Sequence, residues 1–357
     1  MSQAAATARM RAHLETWRPY TLWYPGLVGL AGGALAAGPH HPWRLAAAWA
    51  APTAGWLGAH YLGDYFDREL DGQAKPHRPI PSGRLSERTA VACGLGCFLA
   101  LALLAVATGW ATTGVALAGA FGAVGYSRWL KARGGFGNAV RGSLGAVALL
   151  YGALAAGVAL ASWQLAALLL LAVAFWLHDT MSNLVGTLRD IPGDGAAGYR
   201  TMPVSRGTRF AVRTAALLYA AALTAALAAG AAALAWAPAR FAGAPAGYLA
   251  SLPIVAVAGG AALIPLLRAG QTVPAQTALC LPTPSVRSAD FSPLTALRAH
   301  SVLVVERVLL ACAVCGLSLG MVRELALVIP VTVLTCWPLA VMRVRHEFGL
   351  RPAKDVL

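Results

Sequence analysis

Ten apolar segments divide this sequence, at about 20–38, 43–63, 89–109, 111–127, 139–160, 163–186, 211–237, 246–267, 301–321 and 325–342. An α-helix needs ~20 apolar residues to cross the hydrocarbon core of a bilayer. Inside that core only helices and closed barrels satisfy every backbone N–H and C=O. Barrel strands alternate with a period of two, a pattern these segments lack. The expected fold is therefore all-α and polytopic. Composition agrees, because 12% of the residues are charged against about 25% in soluble domains. The formal net charge of +14 then belongs to the loops of a multispan protein in a lipid bilayer, and no nucleic acid is expected as a partner.

The first segment follows Arg9 and Arg11 as a signal peptide would, but its apolar run exceeds the ~7–15 residues of a signal core. It is read as a retained span. With alternating spans, most basic residues fall on one side: Arg9, Arg11 and Arg18, then the groups at 68–88, 128–141, 189–213 and 268–307. Arg44, Arg240 and Arg323 lie opposite. The positive-inside rule makes the rich side cytoplasmic. Arg343, Arg345, Arg351 and Lys354 join it with ten spans but not with nine, and ten is the expected count. The domain plan is a cytoplasmic tail at 1–18, a core at 19–270, a Pro-containing cytoplasmic connection at 271–300, helices over 301–343 and a basic tail at 344–357. The connection is expected to be a loop rather than a flap, and the cell membrane is the expected location.

Half of the acids stand in two clusters at cytoplasmic helix ends. "GDYFDRELDG" carries Asp64, Asp67, Glu69 and Asp71, and the end of the sixth span carries Asp179, Asp190 and Asp194. His60, Asp64, Asp67 and Asp71 are spaced i, i+4, i+7 and i+11, one helix face. Asp179, Asn183, Gly186 and Asp190 repeat that spacing. Two such faces across a cavity repel unless cations lie between them. Magnesium suits the role, since it takes oxygen ligands and bridges a few carboxylates to phosphate oxygens. Lys75, Arg78 and Arg84 follow the first cluster and Arg200 follows the second. Carboxylates able to carry Mg²⁺ beside Lys and Arg form the layout that holds a diphosphate and stabilises its departure. A membrane setting makes an isoprenoid diphosphate, such as geranylgeranyl or farnesyl diphosphate, the expected ligand.

Ionisable residues within a span default to a functional role. His178 and Asp179 are thus candidates for an acceptor pocket, with Asp179 taking a proton. The alternative is that they pair with each other or with a neighbouring helix. Cys312 and Cys315 form a C-x-x-C inside an apolar span, where packing is the expected use.

"GDYFDRELDGQAKPHRPIPSGRLS" resembles the first signature of the UbiA superfamily of intramembrane prenyltransferases, Asn-Asp-x-x-Asp-x-x-x-Asp followed by Lys-x-x-Arg-Pro. "RDIPGDGAAGYRTMPV" is similar to the second, Asp-x-x-x-Asp followed by Gly-x-x-Thr. "YSRWLKARGGFGN" and "RPYTLWYPGLVGLAGG" resemble the family's intervening connection and the opening of its first span. The likeness runs from about residue 17 to 270. It implies a bundle of nine or ten transmembrane helices around a central cavity, with the active site on the cytoplasmic side.

By position, the resemblance makes Asp64, Asp67, Asp71, Asp190 and Asp194 the magnesium–diphosphate set. It makes Lys75, Arg78, Lys131 and Arg200 diphosphate contacts and puts Tyr126 near the diphosphate or the cationic carbon. Asn183, Asp179 and His178 are the candidates for binding the organic substrates. The implied reaction is Mg²⁺-assisted ionisation of an allylic diphosphate and capture of the cation by an aromatic or lipid acceptor. Trp56, Tyr61, Phe66 and Trp176 are candidates to shield the cation. Gly63 replaces the signature's leading Asn, removing one expected oxygen ligand. A terpene cyclase of the same superfamily is the alternative, and a non-enzymatic lipid-binding or transport protein ranks below it.

Overall fold

The computed structural model describes residues 3–36, 42–238, 243–272 and 292–349, and all their regular elements are helical. In chain order these are α1 (Gln3–Trp17), α2 (Pro19–Leu35), α3 (Pro42–Phe66), α4 (Arg68–Ala74), α5 (Glu87–Thr108), α6 (Trp110–Gly125), a π-helical turn (Tyr126–Leu130), α7 (Gly134–Ala156), α8 (Ser162–Arg189), α9 (Ile191–Ala196), α10 (Met202–Arg206), α11 (Thr208–Trp236), α12 (Gly243–Thr272), α13 (Pro293–Leu319) and α14 (Met321–Phe348). The ten expected segments coincide with α2, α3, α5, α6, α7, α8, α11, α12, α13 and α14. Seven of these, α5, α7, α8 and α11 to α14, are long and apolar enough to cross a membrane by length and composition. The remaining three have visible reasons to fall short. α2 and α6 have 17 and 16 residues, and α3 is diluted in hydropathy by Trp49, Pro52, Trp56, His60 and Tyr61.

Small residues set the packing. Gly29 and Gly32 on α2, with Gly152 on α7, let the two backbones touch: a Cβ on Gly152 would run into the Gly29 carbonyl oxygen, and one on Gly32 into that of Leu149. Gly142 and Gly145 give α8 the same approach to α7, against Thr180 and Asp179. Close backbone contact is the main source of helix affinity where lipid and side chain are equally apolar. Around this seam lies a core of Leu27, Leu149, Leu171 and Phe175, joined by Cys312 and Cys315 from α13. Both thiols are free and buried, as their packing role requires. The outer faces of α5, α12 and α14 expose Leu103, Val257, Ile329 and Trp337, the side chains a lipid-facing surface carries.

Three regions depart from the sequence reading. The tail expected over 1–18 contains α1, docked where His13 Nδ1 and Trp17 Nε1 each lie 2.6 Å from the Tyr61 hydroxyl and where Glu15 takes two hydrogen bonds from Arg84. α13 begins at Pro293, inside the expected connection, whose residues 273–291 lie outside the described residues. α14 runs through the expected tail as far as Phe348, and only the remainder of that tail is undescribed. Gly320, at φ 83°, makes the turn from α13 to α14 in a left-handed conformation that a side chain would strain. α14 thereby returns its C-terminal end to the end of the bundle where α2 begins and α3 and α8 finish.

Candidate active site

That end of the bundle opens into a cavity of about 680 Å³. α3 does not continue through the first acidic cluster, because the helix breaks at Asp67. Its hydrogen-bond ladder nevertheless carries on: Asp67 N–H donates to Gly63 O at 2.9 Å, Asp71 to Asp67 at 2.8 Å and Lys75 to Asp71 at 2.7 Å. The helical register survives the break, and His60, Asp64, Asp67 and Asp71 all line the cavity. α8 presents Asp179, Asn183, Gly186 and Asp190 from the opposite wall, and α9 adds Asp194. The two acidic faces therefore meet across one space.

Cations hold most of these carboxylates. Arg18 Nη2 lies 2.5 Å from Asp64, Lys131 Nζ 2.7 Å from Asp67 and Arg78 Nη1 2.7 Å from Asp71. Asp190 is shared by Lys75 at 3.1 Å and Arg189 at 2.7 Å. Burial opposes the charged form of Asp190, but Arg189 and Lys75 outweigh it and hold the carboxyl below the usual range. Asp194 behaves differently. Burial, reinforced by the neighbouring charge of Asp190, pushes its carboxyl up to about 6. Arg18 is the single non-glycine residue of positive φ (49°) among the described residues, so the backbone is strained where its guanidinium reaches Asp64.

Glu347 on α14 was not anticipated. Its carboxylate is buried and accepts from Lys75 at 3.0 Å, Arg189 at 2.9 Å and Arg78 at 3.4 Å. It thus sits among the cations that border the two acidic clusters. Arg18, Arg141, Arg189, Arg307 and Arg343 also line the cavity without having been singled out. Glu347 left one faint signal, an acid isolated in a basic C-terminal stretch.

The other expected residues divide. Tyr126, at the start of the π-helical turn, lines the cavity and shares long hydrogen bonds of 3.3–3.4 Å with Asn183. Asn138 donates to the same Asn183 oxygen at 2.7 Å. Asp179 faces the cavity and accepts from the Tyr24 hydroxyl at 2.7 Å. His178 does not line it: fully buried, it pairs with Glu306 at 2.6 Å, which is the neighbouring-helix pairing held as its alternative. Arg200 is exposed and outside the lining, its backbone N–H donating to Ala132 O at 3.1 Å. Of the four candidate aromatics, Trp56 alone lines the cavity, with Arg141 4.4 Å from its ring. Tyr61 is taken up by α1, Phe66 packs on Tyr65, and Trp176 donates to Ala139 O at 3.0 Å.

The donor set suits a hard cation. Seven carboxylates border the cavity, those of Asp64, Asp67, Asp71, Asp179, Asp190, Asp194 and Glu347, and Asp64 Oδ2 is buried without a hydrogen-bond partner. Among the described residues no three acidic, His or Cys side chains are grouped to hold a metal alone. Mg²⁺ does not require such a group, since it characteristically uses one or two carboxylates together with substrate phosphates and water.

The model of the UbiA prenyltransferase family matches residues 22–270. A digeranylgeranylglyceryl phosphate synthase of Halobacterium salinarum is 34% identical over 218 residues, 60% of this chain and 76% of that protein. The Thermococcus gammatolerans protein of the same name is 32% identical over 250 residues, 69% and 83% of the two chains. Among solved structures, a UbiA homolog from Archaeoglobus fulgidus bound to GPP and Mg²⁺ aligns with TM-score 0.55 at 13% identity, over 85% of this chain and 99% of that one. A structure of digeranylgeranylglyceryl phosphate synthase aligns with TM-score 0.58 at 17% identity, over 88% and 99%.

Proposed function

The chain belongs to the UbiA prenyltransferase family, and from that premise we propose that it transfers a geranylgeranyl-type group from its diphosphate to the hydroxyl of a glycerol-phosphate lipid. The observation that carries the reading is one cavity walled by both acidic clusters and by Lys75, Arg78, Lys131 and Arg189. The names of the relatives support the lipid acceptor, and the Mg²⁺ and GPP of the Archaeoglobus neighbour support the donor side.

Asp64, Asp67 and Asp71 would hold magnesium from one wall, Asp190 and Asp194 from the other. When bound, the metal supplies positive charge to diphosphate oxygens as they take the electron pair of the breaking C–O bond. Lys75, Arg78, Lys131 and Arg189 turn from carboxylate partners into diphosphate partners, stabilising the same developing charge. The prenyl chain extends toward the apolar side of the cavity past Ala59, Ala123 and Leu144. Trp56 offers a ring face to the allylic cation. Asp179, about 16 Å deeper than Asp190 at 1.5 Å per residue, receives the hydroxyl proton directly or through water. With ten crossings, α1, the acidic clusters and the end of α14 would share one side, and the excess of basic loop residues there supports the cytoplasmic side of the cell membrane.

The test is product analysis by mass spectrometry. Protein in bilayers receives geranylgeranyl diphosphate, Mg²⁺ and either geranylgeranylglyceryl phosphate or no acceptor. Diphosphate release with a doubly prenylated lipid is expected in the first case only. A terpene hydrocarbon formed without acceptor would instead establish cyclisation, and no diphosphate release under any condition would remove the enzymatic reading.

A further inference from the structure

Most cations of the cavity are neutralised, but the arginines supplied by the last two helices are not. Arg343 on α14 is 3% exposed and Arg307 on α13 is 6% exposed, and neither has a carboxylate within ion-pair distance among the described residues. Arg343 makes one side-chain hydrogen bond, from Nη2 to His300 Nδ1 at 2.6 Å. Its Nε and Nη1 are buried without partners, as is Arg307 Nε. Each guanidinium also lies against a ring, Arg343 5.2 Å from Tyr20 and Arg307 4.4 Å from Tyr24. A ring face compensates a desolvated guanidinium only in part, and an arginine keeps its charge at any accessible pH. What these groups lack is an anion, and both line the cavity.

We infer that Arg307 and Arg343 form a second anion subsite, which takes the phosphate monoester of the lipid acceptor. The inference rests on the transfer reading above for the identity of the lipid, though not for the existence of the subsite. Position supports it. Arg343 lies one helical turn from Glu347, about 5–6 Å along the axis, and Glu347 touches the cations assigned to the diphosphate. In a glycerol phosphate the phosphate and the free hydroxyl sit on neighbouring carbons. A headgroup held at this wall therefore brings its hydroxyl beside the diphosphate end of the donor. Guanidinium N–H groups make charge-assisted hydrogen bonds to phosphate oxygens, and Arg343 keeps Nε and Nη1 unpartnered for them. Both arginines follow residue 270, where the family match ends.

Equilibrium binding tests the subsite, with full-length protein in phosphatidylcholine nanodiscs and tryptophan fluorescence as readout, Trp56 lying 5.9 Å from Arg307. The probes are geranylgeranylglyceryl phosphate and the same lipid without phosphate, geranylgeranylglycerol. The wild type should prefer the phosphorylated lipid by at least about tenfold, the size of one charge-assisted contact. Arg307→Gln and Arg343→Gln should each erase most of that preference, while Arg343→Lys retains part of it. Binding of geranylgeranyl diphosphate with Mg²⁺, held by other residues, should shift less than about twofold and reports that the variants are folded. A wild type without preference, or a preference that persists in both Gln variants, overturns the proposal. Preferential binding without any turnover would leave the subsite standing and remove the transfer reading. Turnover of both lipids with equal KM would do the reverse.

Discussion

Two regions of the cavity treat charge in opposite ways. In the first, made of the facing walls of α3 with α4 and of α8, Asp64, Asp67, Asp71 and Asp190 are matched with Arg18, Lys131, Arg78, Lys75 and Arg189. On the wall of α13 and α14, Arg307 and Arg343 stand without a carboxylate, against aromatic rings. Paired ions in a low-dielectric site form a self-consistent resting state, and on the proposed reading an arriving Mg²⁺–diphosphate would exchange partners with them, metal to the carboxylates and phosphate to the cations. The net cost of that exchange is small because nothing is left unpaired at either end. Unpaired buried cations have no such resting state and are poised for an anion alone. The same cavity thus contains one surface built for an ion-pair substrate and one built for a single negative group.

Removing metal or its ligands strikes the first region hardest. Chelation by EDTA should abolish diphosphate release and added Mg²⁺ should restore it. Asp67→Ala and Asp190→Ala should each lower turnover by at least ~100-fold, the scale of losing a transition-state electrostatic partner. Full activity in either folded variant would take that residue out of the mechanism. Glu347 gives an intermediate test, because it belongs by sequence to the second region and by contact to the first. Glu347→Ala should lower stability by on the order of 2 kcal/mol, less than the full penalty of breaking a buried pair, since Lys75, Arg78 and Arg189 each keep an aspartate. Diphosphate should then raise Tm more in the variant than in the wild type, by filling the vacated place. An equal shift in both would show that the carboxylate and the ligand do not share a position.

The smallest effect is expected at Gly63. A Cβ there would meet only Ser127 Oγ, at 3.6 Å, an ordinary contact. Gly63→Asn should therefore be accommodated and should lower the Mg²⁺ concentration for half-maximal activity several-fold, one added oxygen ligand being worth about 1 kcal/mol. Loss of activity instead would mean that the chain of the substrate needs the space, and would move the reading toward cyclisation.

How much of this was legible in the sequence follows from distance along the chain. Hydropathy located every long helix, because lipid leaves the backbone no other solution. The spacing of Asp64, Asp67 and Asp71 placed them on one cavity face even though the helix breaks at Asp67, because the hydrogen-bond register persists through the break. Asn183 and Asp190 obeyed the same periodicity. Glu347, Arg307 and Arg343 escaped because their roles arise from contacts across the fold: Lys75 and Glu347 are 272 residues apart. Arg200 erred in the other direction. Its place after the second cluster promised a diphosphate contact, but it is exposed and is not among the residues that line the cavity. His178 looked like part of an acceptor pocket because charge in a span is costly, and Glu306 on another helix pairs with it at 2.6 Å.

The 272-residue span between Lys75 and Glu347 also sets a timetable for assembly. At ~5–20 residues per second, α3 and α4 emerge on the order of tens of seconds before the end of α14 exists. For most of that interval Lys75 and Arg78, and Arg189 once it is made, lack one of their counter-charges, and the arginines of the far wall have not yet been made. The cavity is closed by α14, which leaves the ribosome after every other described helix, so a nascent chain in the membrane holds its acidic signatures well before it holds the wall that faces them.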